Sequence, residues 1–230
     1  MSAPAFKSTY PAAALFDLDG TLVDTIPDLA EAIDAMRAEL GLAPIGAGVV
    51  ARYTGRGVES MVARALAHGG GPTTTAAAAQ ALDLFRQRYR ACNGRHSTVY
   101  PGVVTGLERW RSVADRLAVV TNKSAQFTLP LLKRMDLARF FDVVVSGDTC
   151  ARKKPDPEPL LYACRQLAVD PADALMVGDS IHDALGARAA GVRAVAVPYG
   201  YHGEVDVQAL PVEAIVPSIA GALDWAASNW

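Results

Sequence analysis

Apolar residues recur along this chain with two different periods, and the change of period divides it. Residues 12–18 form a short apolar run that ends in two carboxylates, which predicts a buried strand. Because strand side chains alternate faces, Asp17 and Asp19 point the same way at its C-terminal end. The spacing then turns helical. Thr25 reads as a helix N-cap with Pro27 in the first turn, followed by Ile26, Leu29, Ala30, Ile33, Met36 and Leu40 on one face, with Gly41 as the stop. Residues 44–48 read as a loop. Val58, Met61, Val62, Ala65 and Leu66 mark a second helix that stops at residues 69–72, the Gly-rich part of which is the expected flexible spot. The threonines at 73–75 cap a third helix, whose apolar face is Ala81, Leu82, Phe85 and Tyr89. No strand is expected between residues 27 and 93.

Beyond Pro101 and Gly102, strands and helices alternate. Helices are predicted at 104–113, 126–135, 157–167 and 182–190, strands at 117–120, 143–145, 174–177 and 194–197, and an edge strand at 214–216. Such alternation predicts a parallel sheet covered on both faces. The expected fold is therefore α/β: a Rossmann-like doubly wound parallel sheet made of residues 1–24 and 100–230, with a small α-helical cap, residues 25–99, inserted after the first strand. In open sheets of this kind ligands bind beyond the carboxyl ends of the strands.

Composition narrows the function classes. A formal net charge of −2 gives no footprint for nucleic acid or an anionic membrane, and the longest basic run is Arg152, Lys153, Lys154. Three cysteines without CxxC spacing indicate neither a disulfide framework nor a zinc site, so a cytoplasmic protein with reduced thiols is expected. Asp17 interrupts the first apolar segment before it can serve as a signal-peptide core, and no stretch is long enough to span a bilayer. A small-molecule substrate is the expectation, with a monomer or homodimer as the working unit.

Four polar clusters follow apolar strands. Asp17 and Asp19 repel each other unless a cation lies near, and hard carboxylate oxygens suit Mg²⁺, while Gly20 permits a tight turn there. Thr121 and Asn122 end the 117–120 strand and offer a hydroxyl and an amide to a phosphate oxygen. Lys153 and Lys154 precede Pro155 and Pro157, which stiffen the approach to the next helix. Asp179 and Asp183, with Ser180 between them, sit four apart where the 174–177 strand gives way to a helix, a spacing that stacks both carboxylates on one helix face.

Residues 16–22, FDLDGTL, resemble the first motif of the haloacid dehalogenase superfamily of Mg²⁺-dependent phosphohydrolases, and the other three clusters match its remaining motifs in order. The resemblance implies that Asp17 is a nucleophile forming an aspartyl-phosphate and that Asp19 is the general acid/base. It further implies that Thr121 and Lys154 bind the transferring phosphoryl group, with Lys153 a bystander. Mg²⁺ is implied at Asp17, Asp19 (through its backbone carbonyl) and Asp179, with Asp183 and Ser180 behind them. True dehalogenases of the superfamily lack the second carboxylate, so Asp19 favours a phosphatase. His182 stands where the family commonly has Asn and is expected to face outward.

Longer stretches, among them SGDTCARKKPDPEPLLYA and VGDSIHDALGARAAGVRAVAVPYGY, look most like bacterial phosphoglycolate phosphatases, which carry a small helical cap after the first motif. On that resemblance Arg56, flanked by Gly55 and Gly57, is the cap cation expected to fork onto a substrate carboxylate, with Arg52 nearby. Alternatives within the superfamily are a sugar-phosphate, nucleotide or pyrophosphate hydrolase, or a phosphotransferase. A phosphonoacetaldehyde hydrolase needs a cap lysine, and residues 26–99 contain none. A non-catalytic phospho-receiver is the alternative from another class; Asp19 and Lys154 argue against it.

Overall fold

A computed structural model describes residues 10–114, 116–203 and 205–230. Six strands form one parallel sheet: β1 (Ala13–Phe16), β4 (Arg116–Val120), β5 (Val143–Val145), β6 (Ala174–Gly178), β7 (Arg193–Ala196) and β8 (Ala214–Ile215), in the order β5-β4-β1-β6-β7-β8. Every pairing in that sheet is parallel. With β1 between β4 and β6, the loops after these three strands share one edge.

The strands are apolar throughout because both faces are covered. Ala14, Phe16, Leu117, Val119, Leu175 and Val177 face one layer, which contains α5 (Val103–Arg111) and α9 (Ile219–Asn229). Alternate residues, including Leu15, Ala118, Val120 and Met176, pack on the opposite layer with α7 (Glu158–Leu167) and α8 (Ile181–Ala190). The remaining core helix, α6 (Ala125–Arg134), follows β4. Trp110 anchors the first layer: its ring meets Phe16 edge-on at 6.0 Å and its indole N–H donates to the Ile219 carbonyl at 3.0 Å.

Between β1 and α5 the chain leaves and re-enters through a two-stranded antiparallel ribbon, β2 (Val23–Asp24) with β3 (Thr98–Val99). The intervening segment is helical: α1 (Ile26–Glu39), α2 (Gly46–Tyr53), α3 (Val58–Ala67) and α4 (Thr75–Cys92). These helices bury an apolar cluster of their own around Ile33, Met36, Phe85 and Tyr89, which the core helix α6 joins through Phe127. Thr74 caps α4 by accepting from the Ala77 N–H at 3.2 Å.

Three details depart from the pattern of the sequence. Residues 44–48 are not all loop, because α2 begins at Gly46; it has one fully buried side chain, Val50, too few to write a period, and its start is held from outside by Asp34, which accepts from the Ile45 N–H at 2.8 Å. Helix α9 was not anticipated, although Ile219, Ala222, Leu223 and Ala226 follow a helical stripe and Ser218 caps it. The ribbon strands are two residues each, below the length at which alternation becomes readable. No helix among the described residues is long and apolar enough to cross a membrane.

Candidate active site

Asp17 follows β1, Thr121 follows β4 and Asp179 follows β6, so the parallel order of those strands delivers all three to one edge. Carboxylate oxygens of Asp17, Asp179 and Asp183 lie within 4.8 Å of one another, all buried. Burial, and then the neighbouring carboxylates, push the Asp17 carboxyl up to about 7 against the pull of Lys154. Asp179 is likewise driven well above the usual carboxylate range by burial and by Asp17 and Asp183. Asp183 behaves oppositely. Burial works against its charge too, but Lys154 and the Ser180 hydroxyl and amide hold it below the usual range.

The geometry explains that split. Lys154 Nζ donates to Asp183 Oδ1 at 2.5 Å and to the Val120 carbonyl at 2.5 Å, and lies 3.1 Å from Asp17 Oδ1 without the alignment of a hydrogen bond. Asp17 Oδ1 is thus a buried oxygen with no hydrogen-bond partner among the described residues. Asp183 Oδ2 accepts from the Ser180 N–H at 3.0 Å and its hydroxyl at 2.6 Å, the capping box that opens α8. An orphaned carboxylate oxygen beside a second under-neutralised carboxylate, in an all-oxygen donor set, fits a hard divalent cation.

Gly20 brings the first loop onto this cluster. Its backbone is left-handed at φ +90, and a Cβ there would lie 2.4 Å from Asp179 Oδ2, so glycine alone permits both the turn and the approach. Asp179 is further fixed by the Thr21 hydroxyl, which donates to Oδ1 at 2.8 Å, and by the Tyr201 N–H, which donates to Oδ2 at 2.6 Å.

Asp19 lines the same cavity as Asp17, and there Lys123 Nζ donates to its Oδ1 at 2.9 Å and the Thr25 hydroxyl at 2.7 Å. Lys123 is itself buried and also donates to the Tyr89 hydroxyl of α4 at 2.7 Å. Burial opposes its charge, yet Asp19 and Tyr89 prevail and hold it above the ordinary lysine range. A cavity of about 40 Å³ adjoins Asp17, Asp19, Thr121 and Lys123, roofed by Thr54, Gly55, Gly57, Val58 and Met61.

Residues 14–197 match the family described as haloacid dehalogenase-like hydrolase. The chain belongs to that family. Among its relatives, a phosphoglycolate phosphatase of Nitrosospira multiformis is 46% identical over 208 residues, 90% of this chain and 92% of that one. One from Thiobacillus denitrificans is 42% identical over 211 residues, 91% of this chain and 93% of that one. Among solved structures, a predicted phosphoglycolate phosphatase from Haemophilus somnus has a TM-score of 0.89 at 28% identity, covering 96% of this chain and 99% of that one. CbbY from Rhodobacter sphaeroides, in complex with phosphate, has a TM-score of 0.78 at 27% identity, covering 93% and 99%.

Within this haloacid dehalogenase-like fold the residues singled out from the sequence do not all converge. Asp17, Asp179, Asp183, Ser180 and Lys154 form one buried network, and Asp19 and Thr121 line the adjoining cavity. Asn122 lines it too, but its side chain is spent on backbone: Nδ2 donates to the Gly55 and Lys154 carbonyls, both at 2.9 Å, and Oδ1 accepts from the Lys154 N–H at 2.9 Å. An amide so engaged clamps three loops and has no donor left for a phosphate.

Arg56 lines a different cavity, across the loop of residues 54–57. With Gly55 at φ +103 and Gly57 at φ +86, the glycine backbones turn toward the substrate side while the side chain between them is exposed. His182 does not face outward as expected. It is half-buried, 3.5 Å from where a Gly55 Cβ would stand, and borders the Arg56 cavity. Lys153 stands outside the buried network, its Nζ paired instead with Glu59 of α3 at 2.8 Å.

Lys123, Tyr89 and Tyr201 were missed. Nothing in the sequence singles out Lys123, and Tyr89 reads there only as an apolar helix position. Tyr201 follows β7, where the rule that sites gather at the carboxyl ends of strands gave the available signal.

Proposed function

We propose that this chain hydrolyses 2-phosphoglycolate to glycolate and inorganic phosphate, through a phosphoryl group carried on Asp17, with Mg²⁺ as the metal. The carrying observation is the convergence at one sheet edge of Asp17, with its unpartnered buried oxygen, Asp179, Thr121 and Lys154, beside a cavity roofed by the helical segment. The names of the relatives support the same substrate.

In this reading an Asp17 carboxylate oxygen attacks phosphorus in line, the P–O bond to glycolate breaks, and Asp19 gives the departing oxygen its proton. Asp19 then takes a proton from water as that water attacks the aspartyl-phosphate, releasing phosphate and restoring Asp17. Lys123 and Thr25 hold Asp19 in place for both transfers. The Thr121 hydroxyl, whose oxygen already accepts from the Lys123 N–H at 3.2 Å, donates to a phosphoryl oxygen, and Lys154 pulls Asp17 toward its anionic form. When bound by Asp17, the Asp19 carbonyl and Asp179, Mg²⁺ supplies the positive charge that lets nucleophile and phosphoryl oxygens approach. Asn122 acts as the clamp between loops rather than as a direct ligand.

Residues 25–99 are proposed to act as a cap over a core made of 1–24 and 100–230, closing at the ribbon to exclude water from the reaction. Three free thiols accord with a cytoplasmic enzyme. A panel of phosphate esters assayed with Mg²⁺ tests the proposal. The highest kcat/KM is expected on 2-phosphoglycolate, with none in excess chelator; a preference for sugar phosphates or nucleotides would leave a phosphatase with a different substrate.

A further inference from the structure

Thr25 stands at the N-cap of α1, yet its side chain does not cap the helix. The hydroxyl donates instead to Asp19 Oδ1 at 2.7 Å. A threonine at this place ordinarily spends its oxygen on the N–H groups that open the helix, which lack intrahelical partners. Here another residue takes over that task. The Tyr201 hydroxyl accepts from the Thr25 N–H at 2.8 Å and from the Ile26 N–H at 3.3 Å, and it donates to the carboxylate of Asp24. One phenol oxygen therefore holds the ribbon, where Asp24 pairs with Thr98, and the first residue of α1.

Tyr201 reaches this junction from the loop after β7, and the rest of the residue is fixed as well. Its N–H donates to Asp179 Oδ2 at 2.6 Å, and its ring packs against the apolar cluster of the inserted helices. The first loop passes close beneath the ring: a Cβ on Gly20 would lie 2.9 Å from Tyr201 Cδ2. The phenol oxygen is thus held at a set place relative to the sheet edge. Thr25, by contrast, sits where the chain leaves the sheet for the helices, so its hydroxyl moves with them unless something pins its backbone. The hydrogen bond from the Thr25 N–H to the Tyr201 hydroxyl is such a pin.

We propose that Tyr201 is a positioning residue for the proton transfer performed by Asp19, acting through Thr25. The role rests on the phosphatase reading above. By accepting from the Thr25 N–H, the Tyr201 hydroxyl fixes the backbone from which the Thr25 hydroxyl reaches Asp19, and so holds that carboxyl for its transfer. Removing the phenol oxygen leaves the ring, its packing and the N–H to Asp179 in place, but frees Thr25 and the start of α1. The acid is then present and misplaced, and small misplacements of a reacting group are expensive in rate. The loss falls where Asp19 gives its proton to the departing oxygen, and spares esters whose leaving oxygen needs none.

The test compares Tyr201→Phe with the wild type on phenyl phosphate and p-nitrophenyl phosphate, esters of similar shape whose leaving oxygens differ in their need for a proton. The quantity read is kcat/KM, which covers the steps through phosphoryl transfer and not the later attack of water. A fall of about ten- to a hundredfold is expected on phenyl phosphate and of less than about threefold on p-nitrophenyl phosphate. Thr25→Val should show the same selectivity, and adding Tyr201→Phe to it should cost little more, because both remove one support. Equal losses on the two esters would make Tyr201 merely structural, and additive losses in the double variant would mean that it does not act through Thr25; either result overturns the proposal. Amide hydrogen exchange in the metal-free full chain gives a readout apart from turnover. The Thr25 N–H should exchange about tenfold faster in Tyr201→Phe, and an unchanged rate counts against the pin. If Tyr201→Phe fails to fold, Asp24→Asn removes the charge that orients the phenol, and equal losses on the two esters there overturn the role as well. A wild type inactive on both esters would refute the phosphatase reading and this role with it, a result distinct from unselective loss in an active enzyme.

Discussion

The floor and the roof of the cavity beside Asp17 are built in different ways. The floor consists of side chains just beyond the parallel strands and at the start of α8, and Asp17, Thr121, Lys154, Asp179 and Asp183 are each less than 10% exposed, with Lys154 bonded to Asp183 and Asp179 held by the Thr21 hydroxyl. The roof is mostly a glycine-rich loop and the start of α3, attached to the core by a few contacts: the Asn122 amide on the Gly55 carbonyl, Lys123 on Tyr89, and Lys153 on Glu59. A buried polar network tolerates only one arrangement, because each unpaired member is costly. A loop held by a few contacts can open. On the proposed function, the chemistry falls to the sheet edge, and substrate choice and release fall to the more loosely held roof.

The floor should therefore respond to substitution with large effects on both turnover and stability. Asp17→Asn is expected to lower kcat by about four powers of ten or more, because an amide cannot form the acyl phosphate. Its stability should move the other way. With a folded-state value raised to about 7 and an unfolded one near 3.9, Asp17 contributes fully to stability below the unfolded value and loses that contribution as pH rises through the folded one. Metal-free wild type should thus weaken between roughly pH 4 and 7, and Asp17→Asn should weaken less, as thermal unfolding across that range would report. A variant less stable than wild type at pH 8 without metal would break the account of the floor.

Lys154→Met tests the same network from its cation. Two buried carboxylates lose their counter-charge, at a cost of about 3–5 kcal/mol in urea unfolding, and kcat should fall by about two to three powers of ten. A small change in both would mean that Asp183 and Asp17 are less dependent on this lysine than the 2.5 and 3.1 Å contacts imply.

The same division governs what could be read from the sequence. The floor was legible because its residues follow apolar strands, and the order of the strands is implied by alternating strands and helices; Asp17, Thr121, Lys154 and Asp179 meet for that reason. The roof was legible only as helices. Where Arg56 points depends on two left-handed glycines, Gly55 and Gly57, whose φ values no periodicity encodes. Asn122 looked like a phosphate ligand because Asn and Thr after a strand offer polar groups, but the backbone partners that consume its amide come from residues 32 and 67 positions away. Tyr89 combines both readings in one side chain: its ring belongs to the apolar face of α4, and its hydroxyl reaches Lys123.

Roof substitutions should give smaller, condition-dependent effects. Lys153→Gln removes the ion pair to Glu59, which is half-exposed and shared with Arg86 at 3.4 Å. Such pairs contribute about 1 kcal/mol or less, so kcat/KM should change severalfold at most, and the difference should shrink as salt is raised. Burial opposes the charge on Glu59, but the hydrogen bond from Lys153 holds its carboxyl below the usual value. The tie is therefore present above the ordinary carboxylate pKa and is lost as pH falls through the lowered one. A salt-independent loss of many fold in Lys153→Gln would show that the roof is as rigid as the floor.

The smallest effect is expected where the sequence pointed to the strongest specificity contact. Arg56→Ala removes a guanidinium that lies across the 54–57 loop from the catalytic cavity, exposed and bordering the arginine-lined pocket instead. A charge at that place acts on the substrate only through the loop, so kcat/KM for 2-phosphoglycolate and for the neutral-ended ester p-nitrophenyl phosphate should fall together, each by less than about tenfold. The ratio between the two substrates is the measurement, because any general disturbance of the roof cancels in it. A guanidinium paired with the glycolate carboxylate in a closed site is worth about 1.5–3 kcal/mol, or one to two powers of ten, and that loss would appear with 2-phosphoglycolate alone. Such a selective loss would mean that the loop turns Arg56 inward when substrate binds, and that the roof reads the acid end of the substrate.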